Sequence, residues 1–492
     1  MYLKDQAILG VEWTAGARIA SQILQFIISV ILARLLTPRD FGLIGMILVF
    51  SGFAGLFSEM GFGAALIQRK VVEERHLSSI FWLNIVVGLI LTCIFLIAAP
   101  FIARFYNEPR LKILTMLLSL NFCLGSLKMV PSSILSRSMD FRKLAVIETT
   151  TMLIAGGLAI TLALIGFGVW SLAWQMIITT IIGVILFWFM TDWRPRFQFD
   201  KNAIKELLGF SGNLLGFNVL NYCARNIDYL LVGKFIGSSG LGIYSRAYGL
   251  MMMPIRQISV TMGRVMFPSL SKCQDDKVLA KRIYLKTISA IALISFPMMM
   301  GLFSLADSFI LALFGTKWKA VVPLLQVFAL LGLVQSIATT VGWIYNSQGR
   351  TDQQLKWGMV AGSFLILSII IGIILGSIMS VAICYTIMSG VILVYPNFAI
   401  PGKLISMNFR EVLRTVSGVF GCAFLMSACV YSLGRALPPE WSHWVRLTLL
   451  VPFGALFYLA IIHLFRLNAY IEVRKIIKVR WAQHFARKNS YD

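Results

Sequence analysis

Five arginines stand in stretches otherwise apolar enough to lie in hydrocarbon: Arg18, Arg225, Arg246, Arg256 and Arg264. A guanidinium presents its N–H donors in a planar fork that fits phosphate or carboxylate with two parallel bonds. A charge near a bilayer centre costs at least about 2.5 kcal/mol on insertion scales, so each of these side chains needs water, a partner or a ligand. Arg18, Gln22 and Gln25 recur at steps of four and three, and Asn218, Asn221 and Arg225 at three and four. Such steps put each triplet on one helical stripe. Arg246, Gln257 and Arg264 also share a face, with Arg256 about a quarter turn away. Together with Arg225, which falls near mid-helix, they would make a cationic track through the membrane, suited to a phosphate or an acidic sugar. The alternative is that Arg246 and Arg264 snorkel to headgroups while Arg225 and Arg256 tie helices together.

The carboxylates in such surroundings are fewer. Asp228 lies one turn beyond Arg225 on the same face. It is either that arginine's ion-pair partner or a coupling site for a proton or a sodium ion, since a partly desolvated carboxylate titrates nearer neutral pH. Glu59 and Glu148 are further candidates. Lys128, two turns before Arg137, reads as a snorkelling side chain. Pro131 and Pro254 fall inside apolar stretches and should bend them. No cofactor is expected beyond a coupling ion.

The elements that must hold these residues are set by composition. Of 492 residues 58% are hydrophobic and 13% charged, which describes an all-α polytopic membrane protein rather than a string of soluble domains. Runs of roughly 20 apolar residues, each enough to cross about 30 Å of hydrocarbon, fall at 15–36, 42–67, 79–103, 111–135, 144–166, 168–190, 207–234, 241–268, 284–306, 320–346, 356–375, 377–400, 411–434 and 444–465. The net charge of +23 is concentrated in alternate connections. That pattern is the positive-inside signature and argues against a nucleic-acid partner. Arg69, Lys70, Arg137, Arg142, Arg194, Arg196, Lys277, Lys281 and the C-terminal tail then lie inside, and both termini are expected to be cytoplasmic. The first 16 residues lack the form of a cleaved signal peptide.

The fourteen spans contain a repeat. Ala33, Arg34, Leu35 and Leu36 match Gly233, Lys234, Phe235 and Ile236, and Phe41, Gly42 and Leu43 match Leu241, Gly242 and Ile243, all at one offset that also brings Gly63 onto Gly263. An even number of spans separates the copies, so two six-helix bundles are expected in the same orientation, related by an axis along the membrane normal. The expected parts are 1–206, a first bundle with its linker; 207–409, a second bundle; 410–466, two additional spans; and 467–492, a basic tail. In that tail Val473, Ile477, Trp481 and Phe485 recur at steps of four among lysines and arginines, as in an interfacial helix held to anionic lipid. Thr191 to Glu206 is too polar to cross and should lie along the cytoplasmic surface. Polar stripes on equivalent helices of a repeat are the pattern of a transporter with a central cavity.

Other chemistries find little support. The seven cysteines have neither paired spacing nor histidines beside them, so a disulfide framework or zinc site is not expected. The four histidines do not cluster, the one adjacent acidic pair is Asp275-Asp276, and no phosphate-cradling glycine loop occurs.

A series of motifs in order, LARLLTPRDFGL from Leu32, GFGAALIQRK from Gly61, SMDFRKLAVIET from Ser138, RNIDYLLVGKFIGSSGLGIYSRAY from Arg225, VMFPSLSKCQDD from Val265 and LFGTKWKAVVPLLQ from Leu313, covers nearly the whole chain. It resembles the Wzx-type polysaccharide and lipopolysaccharide flippases, closest to the colanic-acid exporter-like branch, within the multidrug/oligosaccharidyl-lipid/polysaccharide exporter superfamily. The resemblance implies two six-helix bundles around a cavity with two extra helices. It also implies a bacterial inner-membrane protein that moves an undecaprenyl-pyrophosphate-linked oligosaccharide to the outer leaflet, alongside a polymerase and other envelope-polysaccharide proteins. The runner-up within the same superfamily is an ion-coupled antiporter of drugs or small molecules. A non-transporting scaffold or enzyme of envelope synthesis is the third reading.

Overall fold

A computed structural model describes residues 20–59, 61–69, 71–467, 470, 471 and 474. Among these no strand occurs, and the helices succeed one another as fourteen segments. They are α1 (Ala20–Leu35); α2 (Pro38–Glu59) with α3 (Phe62–Gln68); α4 (Glu74–Tyr106); α5 (Arg110–Arg137); α6 (Phe141–Leu164); α7 (Val169–Met190); α8 (Lys201–Ile236); α9 (Ser238–Lys272); α10 (Lys277–Leu313); α11 (Val321–Ala338) with α12 (Val341–Ser347); α13 (Thr351–Ile374); α14 (Ile378–Ile387) with α15 (Val394–Gly402); α16 (Phe409–Ala436); and α17 (His443–Leu464). Eleven are long and apolar enough to cross a membrane. The other three are α1, of which 16 residues are described, and α8 and α9, which are long but more polar. These are the three in which the sequence places its polar stripes.

Local chemistry sets the ends and breaks. Gly61, at φ 72° in the left-handed region that glycine tolerates, separates α2 from α3. Asp140 caps α6 by accepting from the Lys143 N–H at 3.1 Å, and Ser377 caps α14 through the Ser380 N–H at 3.0 Å. A π-helical turn at Met388–Ile392 interrupts the twelfth segment.

Contacts divide the chain into two compact units, Met1–Gly242 and Ile243–Asp492. This grouping follows packing, whereas the expected boundary after residue 206 follows the repeat. Within the first unit α8 packs on α2, α3 and α4, and α4 pairs with α5 and α6 with α7. Phe62, Leu66, Ile80, Phe81 and Val130 form a buried cluster flanked by Trp188 and Trp193. The linker after α7 is tied to the first turns of α4. Trp82 Nε1 donates to Arg196 O at 2.8 Å, Trp193 Nε1 to the Glu74 carboxylate at 2.9 Å, and the Asp200 N–H to Ser79 Oγ at 2.7 Å.

In the second unit the 37-residue α10 is the hub, with α11, α16 and α17 packed against it. Buried hydroxyl pairs cross from α10 to α11 and the turn after it, Ser295 to Ser336 at 3.0 Å and Tyr284 to Thr340 at 2.8 Å. Ser427 of α16 donates to Met300 O at 3.0 Å.

Prolines inside two helices are met in a shared way. A proline lacks the N–H that would bond the carbonyl four residues earlier. For Pro131 that carbonyl is Leu127 O, and the Trp188 indole of α7 donates to it at 3.0 Å. For Pro297 it is Leu293 O, and the Tyr458 hydroxyl of α17 donates to it at 3.0 Å. The expected tail helix lies outside the described residues.

Candidate functional site

Two groups of polar side chains stand out, one in each kind of surrounding. The first lines a cavity of about 480 Å³ in the first unit, between α1, α5, α6 and α7. Steps of three and four aim Glu148, Thr151 and Ala155 of α6 into it, and steps of four aim Gln175, Thr179 and Gly183 of α7. Gln25 and Ser29 of α1 and Lys128 of α5 complete the polar lining. The α1–α6 seam beside it is close: Ser21 and Thr149 share a hydrogen bond at 3.1 Å, and a Cβ at Gly156 would meet Ile28 Cδ1 at 2.4 Å. Thr151 Oγ1 is buried and has no hydrogen-bond partner among the described residues, so a solute in the cavity finds a hydroxyl ready to pair. With one carboxylate, one ammonium, two amides and hydroxyls, the cavity can hold a small polar species. Lys128 joins this lining, where the sequence suggested a side chain reaching for the headgroups.

The second group sits on α8 and α9. On α8, Arg225 is exposed and Asn218 partly buried. Asp228 is only 7% exposed and accepts a hydrogen bond from the Tyr229 N–H at 2.8 Å. One turn apart, the two charges thus occupy different surroundings. On α9, Arg256, Gln257 and Arg264 are exposed, but Arg246 is enclosed. Its guanidinium lies 5.3 Å from the ring centres of both Phe314 and Trp318, and Trp318 is fully buried. This is cation–π packing of a kind that stabilises a desolvated arginine. Helical spacing alone groups Arg246 with Gln257 and Arg264, and the rings that separate it come from the turn after α10, about seventy residues on. Arg225 belongs to the first unit, and Arg246, Arg256 and Arg264 to the second. Arg18 lies outside the described residues, as do the side chains of Asn221 and Glu59.

Sequence reasoning did not single out Thr151, Gln175, Thr179 or Tyr222. Gln175 and Thr179 offered a signal, a pair of polar residues four apart in an apolar span. Tyr222 offered none, because a tyrosine in such a helix is as often an interfacial anchor.

The polysaccharide biosynthesis protein family matches residues 31–323. The chain belongs to that family. It is a multi-pass membrane protein, with eleven of its described helices long and apolar enough to cross a bilayer. The teichuronic acid biosynthesis protein TuaB of Bacillus subtilis (strain 168) is 32% identical over 93% of this chain and 95% of its own. The lipopolysaccharide biosynthesis protein WzxC of Escherichia coli (strain K12) is 25% identical over 89% of each. In fold the chain is similar to the lipid II flippase MurJ in an inward closed conformation, with a TM-score of 0.69 over 92% of this chain and 98% of that one, at 17% identity.

Proposed function

We propose that this protein is a flippase that moves an undecaprenyl-pyrophosphate-linked oligosaccharide from the cytoplasmic to the outer leaflet of the bacterial inner membrane by alternating access, with both termini cytoplasmic and without catalysis. The observation that carries the reading is the exposure of Arg225, Arg256 and Arg264 on α8 and α9, two long membrane helices that fall short of the others in apolarity. An exposed arginine at membrane depth needs an anion or water, and a pyrophosphate offers oxygens for two bidentate pairs. In this mechanism Arg225 of α8 and, in the second unit, Arg256 and Arg264 of α9 are ligands for the pyrophosphate or an acidic sugar, and Gln25 and Asn218 are polar ligands of the same cargo. Arg246, packed against Phe314 and Trp318, steadies the outer turn.

Transport against a gradient needs a coupling ion, a proton or sodium. Asp228, buried on α8 one turn from Arg225, and Glu148, in the polar cavity, are the carboxylates to which this reading assigns the exchange, with Glu59 a further candidate. Membrane lipids and the polymerase that consumes the flipped repeat are the partners of such a chain. The second reading, an ion-coupled antiporter of small molecules, draws on the cavity, whose volume suits a small polar solute.

The test is leaflet-resolved measurement of the lipid-linked repeat in cells producing Arg225→Ala, Arg256→Ala protein. A buried charge-assisted hydrogen bond is worth about 1.5–3 kcal/mol, so loss of two should leave the repeat on the cytoplasmic side at normal protein abundance. Arg→Lys at either position should be partly tolerated, because charge is kept and the fork lost. Normal export by the abundant double mutant would remove the arginines from the mechanism.

A further inference from the structure

We propose that Tyr222 is a positioning residue, whose hydroxyl seats in a notch at Gly52 and sets the register of α8 on α2, thereby holding Arg225 at its working depth. The proposal rests on the reading of Arg225 as a cargo ligand. Tyr222 Oη lies 2.9 Å from Leu48 O and 3.0 Å from Val49 O, so one O–H proton is shared between two carbonyls in the middle of α2. In an α-helix those carbonyls already accept from the N–H groups of residues 52 and 53. The tyrosine bond is therefore additional to a satisfied ladder, and it can be released without stranding an acceptor of α2.

The notch exists because residue 52 is glycine. A Cβ there would lie 2.3 Å from Tyr222 Oη and 2.9 Å from its Cζ, far inside van der Waals contact. Phe53 flanks the seated ring with centroids 6.3 Å apart. In lipid the hydrophobic effect does not draw helices together, so close approach at small residues and hydrogen bonds between helices decide register. Tyr222 and Gly52 supply one of each at a single point. Arg225 follows three residues later, about 4.5 Å further along the axis and about 60° round. A slip of α8 by one residue would move it by about 1.5 Å and turn it by about 100°, enough to take a bidentate fork off its ligand.

A double-mutant cycle of wild type, Tyr222→Phe, Gly52→Ala and the combination tests this in the full-length chain. Three quantities are read: export of the lipid-linked repeat, thermal midpoint, and the labelling rate of Cys223. Cys223 is exposed next to the latch and is labelled with a water-soluble maleimide in a chain whose other cysteines are serine. Tyr222→Phe should lower export by about two- to twelve-fold, the range of one ordinary hydrogen bond, and shift Cys223 labelling at unchanged abundance. Gly52→Ala should lower export more. The combination should lose less than the product of the two, because the added methyl no longer meets a hydroxyl. Factors that simply multiply overturn the proposal, as does coupling confined to thermal midpoint while export stays at wild type. If Gly52→Ala accumulates only together with Tyr222→Phe, the notch is supported. If it accumulates in neither background, Tyr222→Phe decides alone, and wild-type export with wild-type labelling overturns the proposal. A wild-type chain that moves no lipid-linked repeat would instead refute the functional reading, and the labelling cycle would still decide whether the latch exists.

Discussion

The two units meet one physical problem from different directions. Each has a proline inside a long helix and so a backbone carbonyl without its usual donor, at Leu127 in α5 and at Leu293 in α10. In hydrocarbon an unsatisfied backbone group costs several kcal/mol, so a bend of this kind persists only where a neighbour supplies the missing proton. In the first unit the donor is Trp188, from α7 and thus from inside the six-helix repeat. In the second it is Tyr458, from α17, one of the two segments that the repeat does not account for. The difference teaches that α16 and α17 are part of the second unit's interior. Ser427 of α16, which donates to Met300 O within the same stretch of α10, supports that view.

Removing the donors is the direct way to break this comparison. A chain ended before α17 should fail to accumulate, because the open Leu293 carbonyl costs several kcal/mol in lipid and the packing of α17 on α10 goes with it. Wild-type membrane levels of the truncated chain would show that the second unit stands without α17. Tyr458→Phe keeps the ring and removes the proton, and should lower stability by about 1–3 kcal/mol in thermal unfolding. Adding Pro297→Ala, which restores an N–H to α10, should recover most of that loss. Absence of recovery would mean that Tyr458 acts by packing alone.

The first unit should respond in the same sense but less. Trp188→Phe is expected to cost about 0.5–1.5 kcal/mol, since the Trp188 bond is part-buried where the Tyr458 bond is buried, and Pro131→Ala should offset it. Reversed magnitudes would break the comparison. The smallest effect concerns the ion pair between Lys281 of α10 and Glu411 of α16, at 3.0 Å with side chains 27% and 37% exposed. Glu411→Gln should cost no more than about 1 kcal/mol, and the cost should vanish in high salt. A larger loss would transfer the attachment of α16 from its buried hydroxyl to its surface charge.

Much of this was legible in the sequence, and the residues show why. Length and apolarity give eleven of the fourteen segments, while α1, α8 and α9 carry the polar stripes that the repeat places at equivalent positions. The match of Gly42 with Gly242 marks the repeat, because a close approach there excludes a side chain: a Cβ at Gly42 would fall 1.6 Å from Ser238 O, and one at Gly242 1.9 Å from Pro38 O. Pro131 announced a bend in its own helix, but neither it nor Pro297 named a donor, since Trp188 and Tyr458 lie 61 and 165 residues from the carbonyls they serve. The polar cavity was half visible. Gln25 and Glu148 were marked as residues out of place in lipid, while Lys128 and Gln175 became their neighbours only through packing of α1, α5, α6 and α7. Arg246 shows the limit of spacing: its helical face groups it with Arg264, but the aromatic rings that enclose it arrive from another element.

The long span between Leu293 and Tyr458 also has a meaning in time. At synthesis rates of about 5–20 residues per second, roughly ten to thirty seconds separate the emergence of α10 from that of the tyrosine that completes it. Through that interval the bent helix stands in the bilayer without the donor that its carbonyl finds in the finished chain. The second unit is therefore completed by its last described helix, and the interior of α10 is closed only after almost the whole chain has been made.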